Sequence, residues 1–138
     1  MHTINLTSIH YFGFIYLSFA HQTDGVYSKD EQNTLWKCLL KWMPENSEHA
    51  EFTKIMDETM QWYKKMKDDD DFQENLIIIA ERMNDFDWFT EERKIESLKD
   101  LKAIALSDKN FLDNEKKWMR IIAKAWNLNS SIVRKIAK

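Results

Sequence analysis

A chain of 138 residues with only two glycines and one proline has almost none of the turn chemistry that a fold of many short strands needs. Its apolar residues recur at helical spacing instead. Leu35, Cys38, Leu39 and Trp42 fall at i, i+3, i+4 and i+7, which places them in one stripe along a helix. Phe52, Ile55, Met56, Thr59, Trp62, Tyr63 and Met66 repeat the pattern, as do Ile95, Leu98, Leu101, Ile104 and Ala105, and then Trp118, Met119, Ile122, Ala125 and Trp126. These spacings predict an all-α fold, a compact bundle of about seven helices. At 16.6 kDa the chain is long enough for one well-packed core and too short for two. No linker rich in Gly, Pro or Ser divides it, so a single domain over 1–138 is expected.

Start and stop signals divide the chain further. A first helix is expected from Thr7 to His21, apolar nearly all round and therefore buried on most sides. Ser28-Lys-Asp-Glu31 forms a capping box that opens the second helix, and Pro44 closes it. Ser47 can cap a third helix reaching Lys67, and Asp71 with Glu74 can open a fourth over Leu76 to Met83. Thr90 opens a fifth through Ser107, a sixth runs from Asp113 to Trp126, and a short basic helix from Ser130 to Ala137 ends the chain. The run Asp68 to Asp71 reads as a solvated connection.

Leu17 to Met43 and Leu101 to Asn127 carry related phrases, offset by 84 residues. Each centres an acidic loop between helices: Asp24-Gly-Val-Tyr-Ser-Lys-Asp-Glu31 in the first and Asp108-Lys-Asn-Phe-Leu-Asp-Asn-Glu115 in the second. Gly25 can take positive φ and reverse the first chain segment tightly. Two such loops in one small domain imply a pseudo-twofold repeat that brings both sets of oxygens together. Carboxylate oxygens without nearby thiols or paired imidazoles are hard ligands, so the expected cofactor is a divalent cation, Ca²⁺ or Mg²⁺. Asp24, Glu31, Asp108 and Glu115 are the candidate metal ligands, with His21 and Asp113 as additional candidates. Neither loop has the alternate-position acids of an EF-hand. The competing interpretation makes the same acids helix caps with no ion at all.

Composition excludes several functions. A net charge of -3 with scattered Lys and Arg provides no basic face for a phosphate backbone, so nucleic acid is not an expected partner. Ile9 to Ala20 is the most apolar stretch, but a span needs about 20 such residues. A signal peptide needs basic residues before its apolar region, and Met1 to Ser8 holds none. A buried central helix is therefore expected, with no membrane span. The single cysteine, Cys38, rules out an internal disulfide and fits the cytoplasm; its place in the stripe predicts burial and an inert thiol. Of the 7 Met and 6 Trp, Met56, Met66, Trp62 and Trp118 fall at helical spacing on apolar faces and read as core. No phosphate loop, nucleophile elbow or HExxH helix is present, so no enzyme is expected.

Ala20-His-Gln-Thr-Asp24-Gly25 with Ser28 and Glu31, and Ile104-Ala-Leu-Ser-Asp108 with Asp113 and Glu115, resemble the TerB family of tellurite-resistance-associated proteins. Phe89-Thr-Glu-Glu-Arg93 resembles the opening of that family's second half. The resemblance implies a compact helical domain with clustered acids proposed to hold divalent metal, acting in a tellurite or chemical stress response beside a protein partner. The second copy departs from the pattern where Lys109 and Leu112 replace glycine and serine. The expected function is thus a non-enzymatic, TerB-like, cation-binding protein. The alternative is a helical protein-interaction adaptor whose acids are structural caps; a metal-assisted hydrolase ranks behind both.

Overall fold

The computed structural model describes the backbone of residues 6–24, 29–43, 48–106 and 113–136; the side chains of residues 6, 7, 22–24, 29–31 and 49 lie outside that description. Seven α-helices follow one another in these segments: α1 (Leu6–Asp24), α2 (Lys29–Leu40), α3 (His49–Met66), α4 (Phe72–Arg82), α5 (Glu91–Leu106), α6 (Asp113–Ala125) and α7 (Ser130–Ile136). A single 3-10 turn, Met83–Asp85, continues α4. No strand occurs among the described residues, as the scarcity of Gly and Pro predicts.

Helix α1 is the axis of the bundle, packed against α2, α3, α4, α5 and α6. Ile9, Phe12, Phe14, Ile15, Tyr16, Phe19 and Ala20 are fully buried in it. The apolar run Ile9 to Ala20 is therefore a core helix, and no helix among the described residues is long and apolar enough to cross a membrane. Close approach of α1 to α3 depends on Gly13, where an added Cβ would stand 3.0 Å from Thr59 Cγ2. Aromatic rings fill the centre. Phe12 stacks on Trp42 at 4.8 Å and meets Phe89 edge-on at 5.4 Å, and Phe89 meets Trp126 at 5.2 Å. Burial of this ring system and of the aliphatic residues around it is the main favourable term in folding.

The helix ends differ in detail from the sequence expectation. Helix α1 runs three residues past His21, so that Asp24 is its last residue rather than the start of a loop. Helix α4 opens at Phe72, four residues before Leu76, because Phe72 is buried and belongs to the apolar face. Asp71 occupies the N-cap position of α4 but its side chain makes no cap hydrogen bond, and Glu48 rather than Ser47 precedes α3. Thr90 does cap α5, its Oγ1 accepting from the Arg93 N–H at 3.4 Å. Asn127 ends α6 at φ 62. With Leu128 donating back to the Ala123 carbonyl at 3.0 Å, this is a left-handed helix stop. Asn129 then caps α7 through the Ser131 N–H at 2.8 Å.

Helices α1 and α2 pack together, as do α5 and α6, and α1 also packs against α6 while α2 packs against α5.

Candidate functional site

The candidate ligands fall at the helix junctions. Asp24 is the last residue of α1, and Glu31 the third of α2. Their side chains, and the whole of Asp108, lie outside the described residues. Asp113 and Glu115 are the first and third residues of α6. Asp113 is exposed. Glu115 is 1% exposed, an unusual burial for a carboxylate, which needs hydrogen-bond donors or positive charge around it. Among the described residues no group of three or more His, Cys, Asp or Glu is arranged to hold a metal ion. The loop segments 25–28 and 107–112 lie outside the described residues.

His21 sits one turn before the end of α1, half-buried. Its Nδ1 lies 2.5 Å from the Tyr63 hydroxyl, and the two rings meet edge-on at 5.5 Å. The imidazole thus ties the end of α1 to α3 rather than capping its own helix.

A second polar constellation was not anticipated from the sequence. Asp100 of α5 is 6% exposed and sits where α1, α2 and α5 converge. Its Oδ2 accepts from the Tyr16 hydroxyl at 2.6 Å and from the Trp42 indole N–H at 3.3 Å, and its Oδ1 accepts from Lys41 Nζ at 2.5 Å. Lys41 also reaches Glu96 Oε2 at 3.4 Å. One carboxylate therefore fastens three helices through charge-assisted bonds, the strong kind in a low-dielectric interior. The sequence held two traces of it. Asp100 stands on the apolar face of α5, between Ser97 and Ile104 at helical spacing, and Tyr16 precedes it by 84 residues.

The titration of the neighbours follows from this arrangement. Burial pushes the Tyr16 hydroxyl well above its ordinary range, and the charge of Asp100 beside it pushes further, so Tyr16 remains a neutral donor. For Lys41, burial would lower the pKa, but the hydrogen bond and charge of Asp100, with Glu96, outweigh it and hold the ammonium above its usual value. Burial, followed by the charge of Asp100, raises the Cys38 thiol to about 12. A thiol so placed is protonated at neutral pH and a poor nucleophile. The constellation is thus a closed structural lock rather than an acid–base pair facing a cleft.

An aromatic-rich helical bundle, locked at its centre by one carboxylate and carrying acids where its helices join, is the class of protein defined so far. The family model described as tellurite resistance protein TerB matches residues 16–138, and the chain belongs to that family. No curated protein and no solved structure matches it.

Proposed function

We propose that this TerB-family chain is a non-enzymatic protein of a tellurite or other chemical stress response, binding a divalent cation through Asp24, Glu31, Asp108 and Glu115. The observation that carries the proposal is the position of Asp24 as the final residue of α1. A helix C-terminus is the negative end of the macrodipole, where a carboxylate is unfavourable unless a cation offsets it. Capping accounts for acids in the first turns of α2 and α6, at Glu31 and Glu115, but not for one closing α1. The deep burial of Glu115 and the packing of α6 against α1 support the same conclusion. So does the 84-residue offset between Glu31 and Glu115 in the two related sequence phrases, which favours a pseudo-twofold relation between the loops.

All-oxygen donors fit Ca²⁺ or Mg²⁺, and the ion would supply charge neutralisation and rigidity at the helix junctions rather than Lewis-acid chemistry. Lys109 beside Asp108 makes the two halves of the site unequal. Direct capture of tellurite is disfavoured, since carboxylates repel an oxyanion. The proposed setting is the cytoplasm, with a protein of the same stress system as partner.

Calorimetric titration of the wild-type chain with CaCl₂ and MgCl₂, alongside Asp24→Asn and Asp108→Asn, tests the proposal. Binding heat from at least one ion, reduced in both variants, is expected. No heat from either ion rejects it. The adaptor alternative, in which Glu31 and Glu115 serve only as first-turn acids, requires that rejection, together with loss of stability in Glu115→Ala.

A further inference from the structure

Helix α7 lies against both α5 and α6, and a hollow opens on either side of it. On the α6 side, Arg120, Lys124 and Arg134 ring a cavity of about 560 Å³ floored by Leu128 and Val133. On the α5 side, Lys99, Lys102 and Lys135 ring one of about 430 Å³ floored by Ile95, Ile132 and Ile136. Among the described residues, six Lys and Arg line these two hollows and no Asp or Glu does, in a molecule whose net charge is -3. Glu91 and Glu92 of α5 line a separate hollow beyond Ile95, and Glu96 and Asp100 are engaged by Lys41. Among the described residues, no carboxylate forms an ion pair with Arg120, Lys124 or Arg134.

Like charges gathered around an apolar floor repel one another, and low-dielectric walls focus their field outward. An anion brought among them relieves the repulsion, and an apolar group brought with it covers the floor. Both needs are met by one kind of object. The geometry points to the α5–α7–α6 face as a docking surface for an acidic amphipathic helix of a partner protein. Its apolar side chains enter the hollows flanking α7 and its carboxylates meet the cations at the rims, Arg120, Lys124 and Arg134 foremost. This is helix-in-groove recognition, with charge setting orientation. A flat lipid surface would meet the exposed ridge of α7, at Ser131, Arg134 and Lys135, and leave the floors uncovered. The surface is independent of the proposed cation site.

The test uses the full chain and a fluorescein-labelled peptide of about 18 residues, with Leu on one helical face and Glu on the other. A scrambled peptide of the same composition is the control, and fluorescence anisotropy the readout. The ordered peptide is expected to bind about tenfold more tightly than the scrambled one, with affinity falling as salt rises. Arg120→Glu with Lys124→Glu, and separately Lys99→Glu with Lys135→Glu, are each expected to weaken binding about tenfold or more. Lys54→Glu with Lys65→Glu, equal in charge change but on α3, leaves it unchanged. All these residues are exposed, and unaltered thermal unfolding of the variants verifies the fold. Equal binding of the two peptides, an α3 variant as damaged as the α7-flanking ones, or insensitivity of either hollow to reversal overturns the proposal. Binding to phosphatidylserine vesicles with no binding of the ordered peptide overturns it in favour of a lipid surface.

Discussion

Asp100 illustrates how a single buried carboxylate can organise a small domain. Its three donors come from α1 (Tyr16) and the end of α2 (Lys41 and Trp42), so each loses a hydrogen bond if the carboxylate is removed. Tyr16→Phe leaves Asp100 one donor short and is expected to destabilise the fold by about 1–3 kcal/mol, read from urea unfolding at neutral pH. The same substitution carries a pH signature. The folded state raises the Tyr16 pKa, so the folded form holds the proton more tightly than the unfolded one. This contribution is fully present below the unfolded value of about 10 and is lost as pH rises towards the folded one. Wild-type stability is therefore expected to fall above pH about 10 more steeply than that of Tyr16→Phe; equal slopes would remove Tyr16 from the account. Cys38, its thiol raised to about 12, is expected to react with a disulfide reagent at neutral pH far more slowly in the native chain than in the urea-unfolded chain. Equal rates would contradict the burial argument.

Helix contacts set the next scale. The crossing of α1 and α3 depends on Gly13, whose missing Cβ makes room for Thr59. Alanine there gains about 1 kcal/mol in helix propensity but pushes against a stiff β-branched side chain whose hydroxyl donates to the Ile55 carbonyl at 2.7 Å. Overpacking of that kind costs about 1–3 kcal/mol. Gly13→Ala is therefore expected to lower stability, and Gly13→Ala with Thr59→Ala to recover part of the loss in a double-mutant cycle. Simple additivity would show that the contact does not matter. Sequence periodicity located every helix because each buries one face, yet it misjudged several ends. Asp71 and Ser47 have the residue types of N-caps, but a cap needs a particular backbone geometry as well as an oxygen. At Asp71 the side chain makes no such bond, and α3 is preceded by Glu48.

Across the whole molecule, the class and the family were legible in the sequence, the class from helical spacing and the family from the phrases around Asp24 and Asp108. The Asp100 lock was legible only as an acid on the apolar face of α5, since local spacing cannot report which residues from distant helices converge on one carboxylate. The basic hollows beside α7 were equally hidden, because Lys99 and Arg120 look like scattered surface charges until α5, α6 and α7 are assembled. Of the acidic candidates, Asp24 closes α1 and Glu115 is buried in α6, while Asp108 lies outside the described residues. What they bind is the central claim. The most direct measurement is the thermal unfolding midpoint of the wild-type chain with and without saturating Ca²⁺ or Mg²⁺. An ion at about a hundred times its dissociation constant adds about 2.7 kcal/mol to the folded state, so a rise of several degrees that is lost in Asp24→Asn and Asp108→Asn is expected. An unchanged midpoint with both ions, or an equal rise in those variants, would contradict the account.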